Sequence, residues 1–304
     1  MNIKVLVRYH KNFSVSYREE RHKKAFQENL DEIVKHNEAF KNGSSSFKIS
    51  SNSLADLSNQ QYLKHFVRLV DSDFDEATDQ ENIVGAGLEH GDYPSRLDWR
   101  EKGFVTKPMN QKSCGSCYAF SIGHSVEGQI FKRLNRIIEL STQQIVDCST
   151  DYGNHGCAGG SLRTTLKYLQ KSGGLMREVD YPYNAKQNKC AYDPDLAIVN
   201  ITSWAILPRK NENVMKAILN EVGPIAVSIN ASLRTFQLYS KGIYDDKDCS
   251  SNTVNHAMLL IGYDEHSWIL KNWWGRKWGE KGYMRIKRGV NMCGISNYAA
   301  YAVV

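Results

Sequence analysis

Two cysteines three positions apart, Cys114 and Cys117 in NQKSCGSCYAFS (residues 110–121), are the residues best placed to do chemistry. Such a C-x-x-C can be half a zinc site, a redox couple, or a structural cysteine beside a reactive one. A structural zinc site needs a second Cys or His pair at comparably close spacing. No other cysteines form a C-x-x-C and no H-x3–5-H exists, so no metal site is expected. A redox couple needs a βαβ context and two free thiols, which the flanking pattern does not supply. The third reading leaves Cys117 free at a helix start, where unpaired backbone N–H groups and the helix dipole favour a thiolate. Its plain alternative is a buried, inert cysteine.

A reactive thiol needs a base, and nine histidines are available. His124 lies on the same expected helix, roughly 10 Å along its axis, and cannot reach. His155, beside Cys157 in a glycine-rich loop, suits a surface polar role. His256, in TVNHAMLLIGY, stands at the mouth of an apolar strand, where a base could face the thiol across a domain interface. Taken alone it is equally well an ordinary strand-end residue.

The elements that must position these groups follow from the pattern. Residues 15–40 read as a charged amphipathic helix, with Phe26, Leu30, Ile33, Val34 and Asn37 at helical spacing. KNGSSSF (41–47) breaks it, and residues 50–66 suggest a turn and a second short helix. The acidic run DSDFDEATDQE (71–81) reads as an extended, protease-accessible linker. A helix is expected from near Cys117 to about Arg133, with Phe120, Val126, Ile130 and Leu134 on one stripe. STQQIVDC opens another, Ser141 capping it and Gln144 at the capping-box position. After Trp204 come strands at 224–229, 257–264, 267–273 and 282–288. An α-rich half thus precedes a β-rich half, behind a cysteine-free leader.

The 304 residues, 41% hydrophobic and 24% charged, allow a sizeable core in one or two domains. A formal charge of +6, with no Lys/Arg-rich block, gives a nucleic-acid partner little support. The longest apolar runs, such as residues 257–261, are strand-sized and far short of a membrane span. Seven cysteines fit three bridges and one free thiol in a secreted or lysosomal protein, or a reduced cytosolic chain. Asn-x-Ser/Thr triplets at Asn12, Asn42, Asn200 and Asn230 fit a secretory route. MNIKVLVRYHKNF has no cleavage site, so a start farther upstream is expected, a cytosolic protein being the alternative.

QKSCGSCYAF resembles the nucleophile segment of the papain-like cysteine proteases, C-G-[SA]-C-[WY] with His and Asn roughly 130–150 residues downstream. His256 follows Cys117 by about 140 residues, and Asn272, in KNWWG, by about 155. The likeness continues through DWREKGFVT (98–106), GCAGG (156–160), GPIAVSI (223–229), NHAMLLIGY (255–263) and WGRKWGEKGYMRI (274–286). It implies an α+β fold of two domains: an α-rich half over about 93–205 and a β-barrel-like half over about 206–304. Ahead of them, residues 1–92 would be a helical inhibitory propeptide with an acidic linker at 71–91.

The resemblance assigns roles as well. Cys117 would be the nucleophile and His256 the acid–base. Asn272 would orient the imidazole, and Gln111 with the Cys117 backbone N–H would form the oxyanion hole. Cys114–Cys157, Cys148–Cys190 and Cys249–Cys293 would be bridged. Trp274 would shield the His–Asn contact and border the leaving-group side, although core packing also suits it and Trp278. Gly160 would pair with substrate backbone. Ser161, Leu162, Ser228, Val254, Ala257 and Tyr298 would line an apolar pocket for the P2 residue, with Tyr298 at its base favouring Val or Leu over Phe. No cofactor is implied. The partners would be protein and peptide substrates and the chain's own propeptide, with the protein a monomer. An intact set of four favours an active endopeptidase over a catalytically weak homologue that binds or inhibits other cathepsins.

The leader resembles the propeptide of the cathepsin L-like branch. F-x-x-N-x-x-x-I-x-x-x-N is met by Phe26, Asn29, Ile33 and Asn37, and NSLAD (52–56) follows. Arg18 and His22 stand where Glu and Arg are usual, with Glu19 and Arg21 adjacent as potential substitutes. Removal near Asp92–Tyr93, aided by protonation of acidic groups, would activate the enzyme. Lys112 for Gly, Ala158 for Asn, Asn255 where papain has Asp, and Trp273 for Ser depart from the pattern. So does Tyr118 within the opening stretch. Of these, Trp273 is the one able to alter site geometry.

Overall fold

The computed structural model describes residues 16–70 and 88–304. The acidic run 71–81 falls outside the described residues, as do residues 1–15 and the side chain of Arg18.

The leader folds as helix α1 (Ser16–Lys41), strand β1 (Phe47–Ile49) and helix α2 (Asn59–Phe66). Its two motif asparagines explain themselves: both amides hold the chain that returns along α1. Asn29 Nδ2 donates to the carbonyls of Ala55 and Leu57, and Asn37 both donates to Ile49 O and accepts Ile49 N–H. His22 is buried and pairs with the Asp56 carboxylate at 3.1 Å, while Arg21 is exposed. Ser58 caps α2 in a complete capping box with Gln61. Val34, expected on the apolar face of α1, is 64% exposed.

The α-rich half is built on α3 (Cys117–Leu134), flanked by α4 (Thr142–Cys148) and α5 (Leu162–Ser172). Helix α3 is buried on every side from Cys117 to Phe131, and Leu134, expected on its inner stripe, is 59% exposed instead. Small residues permit that burial: a Cβ at Gly128 would lie 2.7 Å from the Pro224 ring. Its polar side chains are satisfied internally, Ser121 by Cys117 O and Ser125 by Pro224 O. Ser141 does cap α4 through Gln144 N–H, yet the Gln144 side chain turns away to Tyr168, Gly174 and Met176. The capping box is therefore only half formed.

The remaining strands are β2 (Leu97–Asp98), β3 (Leu175–Met176), β4 (Ala197–Val199), β5 (Ser203–Ile206), β6 (Ile225–Ile229), β7 (Tyr239–Tyr244), β8 (His256–Tyr263), β9 (Ser267–Lys271), β10 (Tyr283–Lys287) and β11 (Ala299–Val303). Helices α6 (Glu212–Glu221) and α7 (Arg234–Gln237) lie between them. The main sheet runs β1-β7-β10-β9-β8-β6-β11-β5, an open path rather than a closed barrel, with β2 paired to β8. All its pairs are antiparallel except β7 with β10. The leader extends this sheet, Phe47 standing opposite Gly242. No described helix is long and apolar enough to cross a membrane.

Candidate active site

The segment before α3 is folded by crowding and by one bridge. Cys114 is bonded to Cys157, and Gly115 N–H donates to Cys157 O at 2.9 Å. The other bridges join Cys148 to Cys190 and Cys249 to Cys293, and Cys117 is free and buried. The Tyr183 hydroxyl spans the loop, donating to Gln111 O at 2.9 Å and lying 2.7 Å from Ser116 Oγ. Lys112 sits at φ 55°, a left-handed conformation that suits glycine, and its N–H donates to Asn110 Oδ1. Tyr118 uses its hydroxyl on Gly156 O at 3.0 Å, tying the helix start to the glycine loop.

Four backbone N–H groups surround the Cys117 sulfur: its own and those of Tyr118, Ala257 and Arg68. Two come from the start of α3, one from β8 and one from the leader. Burial nonetheless dominates and pushes the thiol up to about 11, so it is neutral while covered.

His256 opens β8, and its Nε2 lies 2.8 Å from Asn272 Oδ1. That oxygen also accepts the N–H of Trp273 at 2.8 Å, which fixes the amide orientation. The imidazole nitrogen facing it must therefore carry the proton. Nδ1 is left as the open basic position, buried and making no hydrogen bond among the described residues. Burial drives His256 down to about 4 against its hydrogen bond to Asn272, so the imidazole is neutral too. Trp274 stacks on it with ring centres 4.8 Å apart, and Trp278 meets Trp274 edge-on at 5.0 Å.

The leader lies across these groups. Gln111 Nε2 donates to Cys114 O at 3.0 Å and to Phe66 O of the leader at 3.3 Å. Leu69 N–H donates to Asn255 O, Val70 N–H to Gly160 O, and Leu69 bridges to Gly160 in parallel. Tyr62 meets Trp274 edge-on at 5.4 Å and donates to Ala231 O. Gly160 does pair with the main chain of the leader, and a Cβ there would also fall 2.4 Å from Asn154 Oδ1. Gly159 too is close to the leader, and its Cβ would lie 2.3 Å from Arg68 O.

Of the residues expected to line the P2 pocket, Ser228 and Ala257 face each other across β6 and β8, and Ser228 N–H donates to Tyr298 O at 2.8 Å. Val254 and Leu162 are buried. The Ser161 hydroxyl is engaged as the cap of α5, accepting Thr164 N–H at 3.0 Å. Sequence reasoning missed Tyr183, the covering segment 66–70 and the use of Trp273. The YPYN aromatics at 181–184 were the only local signal for the first. Among the described residues, no cluster of His, Cys, Asp and Glu could hold a metal ion.

Residues 93–303 match the papain family of cysteine proteases, and residues 6–62 match the cathepsin propeptide inhibitor domain. The chain belongs to the papain family of cysteine proteases. Within it, this is a proenzyme with cathepsin L-like relatives. It is 35% identical to cathepsin L of Sarcophaga peregrina, over 98% of this chain and 91% of that one. Procathepsin L of Rattus norvegicus is likewise 35% identical, over 97% and 89%. The structure of digestive procathepsin L 3 from Tenebrio molitor larval midgut superposes with a TM-score of 0.89 at 32% identity, covering 98% of this chain and 96% of that one.

Proposed function

We propose that the chain is a cysteine endopeptidase made as a zymogen, with residues 1–92 as propeptide and 93–304 as the peptidase, its halves meeting near residue 205. Cys117, once uncovered, gives its proton to His256 Nδ1 and attacks the substrate carbonyl. Gln111 Nε2 and the Cys117 N–H receive the developing oxyanion. The imidazolium then protonates the leaving amine, and a water deprotonated by His256 hydrolyses the thioester. The observation that carries this reading is the His256–Asn272 contact at 2.8 Å, which leaves Nδ1 as the open basic position.

The leader contact at Gln111 supports latency, because Phe66 O occupies the donor an oxyanion would need. Release near Asp92–Tyr93 at acid pH would expose the site of a lysosomal or secreted monomer. Ser228, Ala257 and Tyr298 support a shallow apolar P2 pocket taking Val or Leu over Phe. The test is peptide turnover by acid-treated wild type and Cys117→Ala, with Val, Leu, Phe and Arg compared at P2. Turnover by wild type alone, led by Val or Leu, is expected. Absence of turnover would sink the enzymatic reading, and a Phe or Arg preference would sink the pocket assignment.

A further inference from the structure

The geometry points to Trp273 as a positioning residue that holds the His256 strand against the Cys117 helix. The inference rests on the catalytic reading above and adds a residue to it.

At the end nearest the site, the β8–β9 ladder stops with Leu259 opposite Lys271. Two positions farther along each strand, Ala257 and Trp273 would be next to exchange hydrogen bonds. The Trp273 main chain is engaged elsewhere: its N–H donates to Asn272 Oδ1 and its C=O accepts Gln111 N–H, both at 2.8 Å. Ala257 O thereby loses its ladder partner in a fully buried setting, where an unpaired carbonyl is costly. The side chain replaces what the main chain withdrew. Trp273 Nε1–H donates to Ala257 O at 2.9 Å.

Ala257 follows His256 directly, and its own N–H faces the Cys117 sulfur. The residue anchored by the indole thus supplies one of the main-chain groups that favour the Cys117 thiolate, and it carries the imidazole just ahead of it. The ring supplies the second half of the strut. It stacks on Phe120, one helical turn along α3 from Cys117, with centres 5.2 Å apart and planes 20° from parallel. Beneath it lies the His124 ring at 4.7 Å, held by a 3.0 Å contact between His124 Nδ1 and Phe120 O. Lys271 Nζ is 5.6 Å from the ring centre on the β9 side. A small hydroxyl residue here could keep the main-chain bonds. It could neither reach Ala257 O across this gap nor fill the space against Phe120 and His124, both of which are buried.

The experiment compares acid-matured wild type with Trp273→Phe, which keeps the stack and loses the donor, and Trp273→Gln, which keeps a donor and loses the stack. Turnover of one peptide, thermal midpoint, and the rate of Cys117 alkylation by iodoacetamide between about pH 4 and 9 are measured for each. Trp273→Phe is expected to lower kcat roughly tenfold with KM within about twofold, and to move the acid limb of the alkylation profile upward. Trp273→Gln should recover part of that shift while melting lower. A Phe variant matching wild type in kcat and profile would overturn the proposal. So would losses that vanish when each variant is assayed well below its own midpoint. A wild type that neither turns over nor alkylates at Cys117 sinks the catalytic reading and this proposal with it. If neither variant folds, the Trp273 indole N–H resonance in wild type decides. It should resist exchange and move when Cys117 is alkylated; free exchange or no movement would overturn the strut.

Discussion

The thiol and the imidazole are held by different means. On the thiol side the fixings are short-range and covalent: segment 111–117, the Cys114–Cys157 bridge, and one tyrosine hydroxyl spanning the loop. On the imidazole side, His256 depends on Asn272 from the chain after β9 and on a pile of rings around Trp273 and Trp274. A nucleophile can be aimed by a stiff loop at a helix start. The imidazole proposed as its base comes from the other half of the chain and has to be aimed by packing.

If the two sides act as one device, breaking either should cost the same. Cys117→Ala and His256→Ala are each expected to lower kcat by about 10⁴-fold or more, with the double variant no worse than the worse single one. Additive losses in steady-state kinetics would mean the sides work independently. The next largest effect is confined to the thiol side. Replacing Cys114 and Cys157 by Ser opens a link across 43 residues, and a loss of about 4 kcal/mol in urea unfolding is expected. A stability within error of wild type would show that Tyr183 and the glycine loop hold the segment unaided.

Gln111→Ala should lower kcat by about 10²–10³ with KM held, if its donor serves the transition state as proposed. A rise in KM alone would make it a binding group. The smallest effect lies on the imidazole side and depends on pH. Burial drives His256 down to about 4, so between there and its ordinary 6.5 the unfolded chain binds a proton the folded proform refuses. That contribution is fully present above 6.5 and is lost as pH falls toward 4. Burial pushes the buried Glu127 carboxyl up, which works in the opposite sense, so a difference measurement is needed. In a Cys117→Ala background, His256→Gln should gain about 2 kcal/mol relative to its parent between pH 7 and 4.5. A gap that does not change with pH would contradict the buried neutral imidazole.

The same contrast governs what could be read from the sequence. The thiol segment was legible because its chemistry is local: a C-x-x-C, a helix start and Gln111 are adjacent in the chain. Strands β6, β8, β9 and β10 were legible too, being short apolar runs between glycines and charges. Strand β7 was not, because YSKGIY hides its pairing behind Ser240, Lys241 and Gly242, and its partner β1 comes from the leader. Helix α3 defeated the stripe argument, since it is buried all round and has no outer face until its last turn. Trp273 read as a departure because its role exists only across strands, where a side chain takes over a broken ladder bond. His22 read the same way until Asp56, far along the chain, was beside it.

The most direct measurement is the rate at which a peptidyl epoxide labels Cys117 in the proform and after acid maturation, with the modified residue located by mass spectrometry. Labelling at Cys117 alone, slow in the proform and at least about a hundredfold faster once residues 66–70 are removed, is the expected result. Equal rates in the two forms, or an adduct anywhere but Cys117, would contradict a thiol kept neutral under the leader and activated by His256.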